Sequence, residues 1–379
     1  MKRITILGST GSIGTQALEV VDQLGYHVTA LTAQSNAKLL ESQARKYRPK
    51  AVALAHEDLA RGLEISLRDT GITVLSGPEG VAACAAMACG CVLNGIVGIA
   101  GLAPTIAALQ SGNPAALANK ESLVAGGALV TNLARARGLP LLPVDSEHSA
   151  VFQCLQGVPE NALHKIILTA SGGAFYGKSK AELAKATAED ALKHPTWAMG
   201  AKITVDSATM MNKGLEVLEA AWLFGLPAER IGVLVHRQSV VHSLVELADG
   251  AVLAQLGAPD MRLPIQYALT YPERLPSPAE RLDLSSCGPL TFEEPDNEAF
   301  PAIALCREAF RRGGLAPAAL NGANEAANAL FREGKIAFPD ITRLVSKAVE
   351  AAPPGDADTL EKILSADTYA RELTYKYIK

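Results

Sequence analysis

The chain has 379 residues, of which 49% are hydrophobic and 20% are charged, and its formal net charge at pH 7 is −4. This composition is typical of a globular protein, and the length exceeds what one ordinary hydrophobic core accommodates, so two or three domains are expected. The weak negative charge gives no electrostatic reason to expect a nucleic-acid partner.

The six cysteines and one long uncharged segment favour a cytoplasmic protein outside the membrane. No two cysteines form a CxxC pair, so buried free thiols in a reducing compartment are a better interpretation than a zinc site. No charged residue stands between Val81 and Ala118, but glycines and Pro104 divide this stretch into pieces too short to span a bilayer. The apolar run ahead of Gly8 is too short for a signal peptide.

A glycine-rich turn follows the first predicted strand, Arg3 to Gly8, and precedes a helical pattern from Ile13 to Leu24. The turn reads Gly8-Ser9-Thr10-Gly11-Ser12-Ile13-Gly14. A strand, a glycine turn and a helix in this order direct backbone N–H groups and a helix N-terminus at a pyrophosphate. Because the spacing is GxxGxxG rather than GxGxxG, the context rather than the motif predicts a dinucleotide site. A tight turn that binds nothing is the alternative.

The end of the second predicted strand, His27 to Thr32, favours NADP over NAD. NAD-binding chains usually place a carboxylate there to bind the ribose 2′-hydroxyl. This chain has no carboxylate at that point, and Ser35, Asn36 and Lys38 are candidate donors for a 2′-phosphate.

A polar tetrapeptide, Asn119-Lys120-Glu121-Ser122, directly follows a short predicted strand, Ala116 to Ala118. Further strands are predicted at Ala51 to Leu54, Ile72 to Leu75 and Cys91 to Ile96. In an open α/β sheet, ligands bind outside the carboxyl ends of the strands, so the tetrapeptide is a candidate ligand contact. The alternative is that Asn119 caps a helix, a role compatible with ligand contact.

Two carboxylates follow another apolar run, Leu139 to Val144. In an extended segment Asp145 and Glu147 point the same way, and a divalent cation relieves their repulsion. With Glu216 they offer three anionic oxygen ligands, a set that suits Mg²⁺ or Mn²⁺ rather than zinc. The alternative is a helix N-terminus with Asp145 as its cap and Glu147 in the first turn.

The central part of the chain has phosphate-type signals and a candidate lid. Ser171-Gly172-Gly173 ends a strand and lets the backbone approach an anion closely. The stretch from His194 to Gly200, with Trp197 and Met199 expected to be exposed, is a plausible closing loop. The helix predicted from Asn212 to Glu219 aligns an amide, a lysine and carboxylates beside Ser207, although a solvated helix face is an equally good interpretation.

The remainder combines strands, a linker and helices. Strands are predicted at Ile231 to His236, Val240 to Leu247 and Ala251 to Leu256, with a hairpin turn at Asp249-Gly250. They indicate an open sheet with one face available for a dimer. Tyr271 to Pro301 is proline-rich and resembles a linker. Residues from Ala302 onward have a helical pattern.

Six motifs, in the same order, resemble those of the 1-deoxy-D-xylulose 5-phosphate reductoisomerase family: Gly8–Gly14, Ala118–Val124, Asp145–His148, Ser171–Gly173, His194–Gly200 and Val205–Glu216. The resemblance covers almost the whole chain. It implies a cytoplasmic homodimeric enzyme of the methylerythritol phosphate route to isoprenoids. Such an enzyme uses NADPH and a divalent cation (Mg²⁺, Mn²⁺ or Co²⁺) to convert 1-deoxy-D-xylulose 5-phosphate to 2-C-methyl-D-erythritol 4-phosphate.

The resemblance also implies an α/β fold with three domains and a linker. These are an N-terminal Rossmann-type NADPH-binding domain (1–145), a central α/β catalytic and dimerisation domain with an open sheet and a mobile lid (146–270), a linker (271–300) and a C-terminal α-helical domain (301–379).

Residue roles follow from the same resemblance. The expected NADPH contacts are Thr10, Gly11, Ser12, Ile13, Asn119, Glu121 and Gly200, beside Ser35 and Asn36. The expected metal ligands are Asp145, Glu147 and Glu216. The expected phosphate-region contacts are Ser171, His194, Ser207, Asn212 and Lys213, with Glu216 beside them. Lys120, Ser146 and Glu147 are expected at the reacting end, and Glu147, Lys120 and His194 are the catalytic candidates.

Three departures from the family pattern stand out. Gln34-Ser35 replace a glycine and a basic residue, which leaves the 2′-phosphate contact the least determined. His236-Arg237-Gln238-Ser239 replaces His-Pro-Gln-Ser, which alters a turn but removes no expected ligand. Ala174 stands where proline is common, and little is expected from that change.

Two other functions are compatible with parts of the pattern. An acylating semialdehyde dehydrogenase would need a nucleophilic cysteine, and the nearest candidate, Cys154, lies in a plain apolar helical pattern. A non-catalytic sensor of NADPH or a sugar phosphate would have no use for three converging carboxylates or a lid.

Overall fold

The computed structural model describes residues 2–197 and 199–378. They form two compact units. The N-terminal unit comprises residues 2–122, 130–149 and 260–280, and the C-terminal unit comprises residues 123–129, 150–259 and 281–378. The functional division predicted above, at residues 145, 270 and 300, stays a prediction, because compactness alone does not say what each part binds.

The strands are β1 (Arg3–Leu7), β2 (His27–Ala33), β3 (Ala51–Leu54), β4 (Thr73–Ser76), β5 (Cys91–Asn94), β6 (Ala115–Leu117), β7 (Leu141–Pro143), β8 (Leu163–Ala170), β9 (Ile231–Val235), β10 (Val241–Leu247) and β11 (Val252–Leu256). The α-helices are α1 (Ser12–Leu24), α2 (Ala37–Tyr47), α3 (Glu57–Leu67), α4 (Gly77–Ala86), α5 (Leu102–Gln110), α6 (Glu121–Arg137), α7 (Ser146–Cys154), α8 (Lys180–Leu183), α9 (Ala188–Ala191), α10 (Ala201–Ala208), α11 (Met211–Phe224), α12 (Arg262–Thr270), α13 (Ala302–Arg312), α14 (Ala316–Arg332), α15 (Phe338–Glu350) and α16 (Leu360–Lys376).

The N-terminal unit is built on a seven-stranded sheet in the order β4-β3-β2-β1-β5-β6-β7. All its strand pairs are parallel. Such a sheet is covered on both faces, which is why its strands are continuous apolar runs rather than alternating ones. The strand order reverses between β1 and β5, and the crevice at such a reversal is the usual dinucleotide position. The predicted Rossmann-type fold of this part is confirmed.

The C-terminal unit combines a mixed four-stranded sheet, ordered β11-β10-β8-β9, with helices. Strands β8 and β9 are parallel, whereas β10 is antiparallel to both β8 and β11. The hairpin turn predicted at Asp249-Gly250 joins β10 to β11, with Gly250 at a φ of 86°. The last part of the unit consists of α13 to α16. The predicted open sheet and C-terminal helices are therefore present.

One local prediction differs from the structure. Asp145 and Glu147 do not lie in an extended segment: α7 begins at Ser146, so the helix N-terminus considered as the alternative is correct. Between β8 and the predicted lid, the chain forms two short helices, α8 and α9, each with its own side-chain cap. The proline-rich segment contains no helix or strand among residues 271–301, all of them described, apart from one bridge between Val235 and Glu293.

Within the described part of the chain, no helix is both long enough and apolar enough to cross a membrane.

Two glycine substitutions should have opposite effects on stability. A Cβ at Gly14 would lie 2.3 Å from the Gly8 carbonyl oxygen and 2.4 Å from the Ser9 Cα, so α1 would have to move away from the turn. We expect Gly14→Ala to lower the free energy of unfolding by about 1–3 kcal/mol. Gly62 in α3 has nothing within 4 Å of an added Cβ. We expect Gly62→Ala to stabilise the protein by up to about 1 kcal/mol.

Thermal unfolding of both variants beside the parent protein measures these effects. An unfolding midpoint that is unchanged in Gly14→Ala would contradict the close approach between α1 and the turn.

Candidate active site

The glycine turn presents an uncapped helix N-terminus at the point where the sheet order reverses. Gly8 has a φ of +77°, and a Cβ there would lie 2.9 Å from the Gly95 carbonyl oxygen at the end of β5. Gly11 occupies the N-cap position of α1 and offers no side-chain cap. The first N–H groups of a helix have no intrahelical partner, so those of α1 are available to an anion. Thr10, Ser12 and Ile13 lie in this turn and first helical residues.

Ser9 fixes the turn from the buried side. Its hydroxyl donates to the Gln43 Oε1 at 2.7 Å, and the Gln43 amide donates back to the Ser9 carbonyl at 2.9 Å.

At the end of β2, Ser35 and Asn36 are exposed, and the Asn36 side chain accepts the Leu39 N–H at 3.2 Å. Asn36 therefore caps α2, which leaves its amide N–H groups as donors for a ligand.

Asn119 is buried and joins the loop after β5 to the start of α6. Its amide nitrogen lies 2.8 Å from the Ile96 carbonyl oxygen and 2.9 Å from that of Gly98, and it also contacts Glu121. Its oxygen accepts the Ser122 N–H at 3.0 Å. Asn119 therefore binds an N–H of the first turn of α6, although the N-cap position itself is held by Lys120. Its side chain also shapes the loop after β5 beside the glycine turn.

Lys120 and Asp145 form a buried ion pair after the adjacent strands β6 and β7. The Lys120 Nζ lies 3.0 Å from the Asp145 Oδ2, and the two side chains are 6% and 12% exposed. The other oxygen, Oδ1, lies 3.2 Å from Nδ1 of the fully buried His148. The same oxygen accepts the Glu147 N–H at 3.2 Å, so Asp145 also caps α7. The Ser146 hydroxyl donates to the Glu147 carboxylate.

Ser171 and His194 meet in the C-terminal unit. The Ser171 Oγ lies 2.9 Å from the His194 Nε2 and accepts the Gly173 N–H at 3.2 Å. A Cβ at Gly173 would lie 2.5 Å from the Ser207 carbonyl oxygen, so the glycine allows the turn to contact α10. Ser171, His194 and Ser207, which are far apart along the chain, therefore lie close together.

The predicted lid begins with a histidine that holds the backbone after it. The His194 Nδ1 accepts the N–H of Trp197 at 2.9 Å and that of Thr196 at 3.2 Å. Trp197 and Met199 were expected to be exposed, but both are half-buried. The Trp197 ring lies 6.3 Å from that of His242, which explains its partial burial. Ala198 lies outside the described residues, and Gly200 is exposed.

The helix predicted from Asn212 to Glu219 is confirmed as part of α11. Lys213 and Glu216 form an ion pair whose side chains are 5% and 1% exposed, and the Asn212 amide donates to the same carboxylate. The solvated helix face considered as the alternative is therefore wrong. Burial of this pair is tolerated because each charge has a close partner.

Several residues of this region had no assigned role in the sequence analysis. His148 lies one helical turn after Asp145, a spacing that was visible in the sequence. Asp206, buried in α10, is bound by Lys202 at 2.9 Å and by the amides of Asn324 and Asn328 at 3.0 and 2.8 Å. No local sequence pattern predicts these contacts between α10 and α14.

The six cysteines are free thiols. Burial raises the pKa of Cys154 to about 11, so this thiol is not a ready nucleophile. The acylating dehydrogenase is thereby disfavoured. Burial also raises the pKa of Cys84 and Cys91 to about 12.

Three family models match successive parts of the chain. They are described as 1-deoxy-D-xylulose 5-phosphate reductoisomerase for residues 4–127, its C-terminal domain for residues 141–224, and DXP reductoisomerase C-terminal domain for residues 256–373.

Curated relatives and solved structures agree with these models over the whole length. A 1-deoxy-D-xylulose 5-phosphate reductoisomerase of Gloeobacter violaceus is 54% identical over 377 residues, which is 98% of this chain and 96% of the relative. One from Bacillus anthracis is 51% identical, covering 98% and 97%. The Zymomonas mobilis enzyme, solved with NADPH, superposes with a TM-score of 0.94 at 42% identity, covering 100% and 99%.

A DOX-P reductoisomerase solved with NADPH, fosmidomycin and magnesium has a TM-score of 0.95 at 40% identity, covering 100% of this chain and 98% of that one. Sequence and fold therefore agree along the entire chain, and this protein belongs to the 1-deoxy-D-xylulose 5-phosphate reductoisomerase family.

Proposed function

We propose that this chain catalyses the reaction of its family with the residues described above. It is an NADPH- and metal-dependent oxidoreductase that converts 1-deoxy-D-xylulose 5-phosphate to 2-C-methyl-D-erythritol 4-phosphate in non-mevalonate isoprenoid biosynthesis. The observation that carries the proposal is the whole-chain match to a solved relative that holds NADPH, fosmidomycin and magnesium together.

NADPH binds the N-terminal part, residues 1–145 in the functional division. The uncapped start of α1 supports this assignment, because the N–H groups of a first helical turn have no intrahelical acceptor and suit a pyrophosphate. Thr10, Gly11, Ser12 and Ile13 form this start. Exposed Ser35 and Asn36 offer donors to the 2′-phosphate. Asn119, Glu121 and Gly200 complete the assigned cofactor contacts.

Asp145, Glu147 and Glu216 hold the divalent cation. Their carboxylate oxygens suit Mg²⁺, Mn²⁺ or Co²⁺. Asp145 faces Lys120 and His148, and Glu216 faces Asn212 and Lys213, and such contacts favour the charged form of a carboxylate. When bound, the cation supplies Lewis acidity to the substrate oxygens and NADPH supplies hydride to a carbonyl carbon.

The substrate phosphate binds Ser171, His194, Ser207, Asn212 and Lys213 in the central domain, residues 146–270. The contact of Ser171 with His194 and the positive charge of Lys213 support this assignment. Lys120 and Ser146 orient the hydroxyl and carbonyl end, and Glu147 moves protons there. The Ser146 hydroxyl on the Glu147 carboxylate supplies a path for such a proton.

The segment His194–Gly200 closes over the bound substrate and excludes water, with Trp197 and Met199 as its apolar cover. The half-burial of both side chains is consistent with a loop that packs against other residues of the C-terminal unit. Water exclusion matters because the rearranged intermediate is a reactive aldehyde.

The active form is a homodimer in the cytoplasm. The exposed side chains Val252 (50%) and Leu253 (39%) on the edge strand β11 support a second copy at this sheet. The free state of all six cysteines suits a reducing compartment. The polypeptide from 271 to 300 links the catalytic part to the helical domain at 301–379.

A direct assay tests the activity. Incubation with 1-deoxy-D-xylulose 5-phosphate, NADPH and Mn²⁺ should consume NADPH, as absorbance at the reduced-cofactor band reports, and omission of the metal should stop it. The reaction should be slower when NADH replaces NADPH. If no NADPH is consumed either with or without metal, the proposed enzymatic function is refuted, and a non-catalytic sensor becomes the better interpretation.

A substitution at Glu216 tests the metal assignment. Glu216→Gln removes one anionic ligand and the negative charge beside Lys213, so we expect turnover to fall about a hundredfold or more. The metal concentration for half-maximal activity should rise in parallel. Glu189→Gln, at a carboxylate whose side chain is 85% exposed, is the matched control and should behave as the parent protein. A Glu216→Gln enzyme with unchanged metal dependence would remove Glu216 from the site.

The protonation of His194 gives a further prediction. Burial, and then the positive charge of Arg237, lower the pKa of His194 from its ordinary value of 6.5. Since Nδ1 accepts two backbone N–H groups, the proton of the neutral ring lies on Nε2. The folded state thus binds a proton less readily than the unfolded state. The stability that His194 contributes is present above pH 6.5 and is lost as pH falls through the lower, folded-state pKa.

Nitrogen NMR of the histidine rings, assigned with His194→Gln, measures the titration and the tautomer. The expected result is a midpoint below 6.5 with the proton on Nε2. Exposed His164→Gln provides the control for loss of one histidine. Titration above 6.5, or a proton on Nδ1, would contradict the described contacts.

A further inference from the structure

Arg237 occupies the position at which the family pattern has proline, at the edge where the phosphate-type turn lies. Strands β8 and β9 are parallel neighbours, with Ala170 paired to Val235. Ser171 directly follows β8, and Arg237 stands two residues after β9. Parallel strands end at the same edge of a sheet, so the side chain of Arg237 is delivered next to the Ser171–Gly173 turn.

The guanidinium of Arg237 binds this turn through its backbone. Its Nη1 donates to the Ser171 carbonyl at 2.9 Å and to the Gly173 carbonyl at 3.3 Å. In a trans peptide the C=O and the following N–H point in opposite directions. The two bonds therefore turn the negative ends of these peptides toward Arg237. They direct the N–H groups of Gly172 and Ala174 away from it.

Arg237 is itself held in place on two sides. Its guanidinium lies 4.5 Å from the centre of the Tyr176 ring, a cation–π contact, and the Tyr176 hydroxyl donates to the Glu293 carboxylate. The preceding His236 is fully buried. Its Nδ1 lies 2.8 Å from the Thr291 carbonyl, and its Nε2 accepts the N–H groups of Val240 and Val241 at 3.2 and 3.1 Å. A half-buried arginine on so fixed a turn is pre-organised.

From this geometry we infer that Arg237 is a positioning residue of the substrate-phosphate subsite: it clamps the Ser171–Gly173 turn in its anion-binding form and adds a permanent positive charge beside it. The inference rests on the proposed function, because it takes the phosphate of the substrate as the occupant of that turn. It assigns to this chain a cation at a position where the family's usual residue is uncharged.

The electrostatics of the turn agree with this role. The charge of Arg237 contributes, after burial, to the lowered pKa of His194, so it acts on the group that contacts Ser171. A guanidinium stays protonated at all working pH values, whereas a neutral histidine brings no charge. Arg237 thus supplies attraction for a phosphate dianion under conditions in which His194 supplies only hydrogen bonding.

Three substitutions separate the charge from the fold. Arg237→Met removes the charge and keeps much of the length, Arg237→Lys keeps the charge without the planar fork, and Arg237→Pro installs the usual family residue. Among the described contacts the backbone N–H of Arg237 donates no hydrogen bond, so proline removes none. The matched control is Arg343→Met, at an exposed arginine of the same unit that pairs with Asp340 at 2.7 Å.

Calorimetry with inorganic phosphate and steady-state kinetics with 1-deoxy-D-xylulose 5-phosphate provide the two readouts. We expect Arg237→Met and Arg237→Pro to raise the phosphate dissociation constant and the substrate KM together, each by about tenfold. The kcat should change by less than about twofold, because the turn contacts a part of the substrate that does not react. Arg237→Lys should recover part of the loss, and Arg343→Met should show none.

The possible outcomes distinguish failure of the Arg237 role from failure of the proposed function. If phosphate binding and KM are unchanged in both Arg237→Met and Arg237→Pro, the role of Arg237 is overturned, but the proposed enzymatic function is unaffected. A parent protein that binds no phosphate would overturn it as well. A parent protein that binds phosphate through Arg237 but does not consume NADPH would retain the role of the turn and refute the proposed function.

Discussion

Two buried ion pairs impose the main constraint on this protein. Lys120 with Asp145, and Lys213 with Glu216, are almost completely removed from water, so each charge depends on its partner. Removal of one member of such a pair typically costs about 3–5 kcal/mol, because the remaining charge is left uncompensated. Each carboxylate thus lies beside a lysine in a part of the protein from which water is largely excluded. Under the proposed metal assignment, the same two carboxylates would serve both the stability of the fold and the binding of the cation.

The parts of the fold that could be predicted are those with a local cause. Apolar runs and the glycine turn predicted an open α/β sheet with a strand–turn–helix start. The structure supplies the reason for the glycines, because an added Cβ at Gly8 or Gly14 would clash with the neighbouring backbone. The start of α7 was harder to place. Asp145 and Glu147 satisfy both the two-residue period of a strand and the capping rule of a helix, and the short strand before them ends at Pro143. The Asp145 side chain resolves the ambiguity by accepting the Glu147 N–H.

The parts that could not be predicted have long-range causes. Asp206 is bound by amides 118 and 122 positions away in the chain, and nothing near Asp206 marks these partners. The role of Arg237 was equally hidden. As a departure from a family pattern it suggested only an altered turn, whereas the register of β8 and β9 places it against the Ser171–Gly173 turn. Local patterns therefore locate chemical groups, and strand pairing decides which of them meet.

Contacts at both ends of the predicted lid, His194–Gly200, limit how this segment can move. At its start, His194 holds the backbone of Thr196 and Trp197 through one ring nitrogen and contacts Ser171 through the other. Past its end, α10 begins at Ala201 and is anchored to α14 through Asp206. Any closure of the predicted lid would therefore have to occur between these two fixed points. A phosphate bound at Ser171 as proposed would compete for the His194 Nε2, and so would act on the same ring that holds the start of the predicted lid.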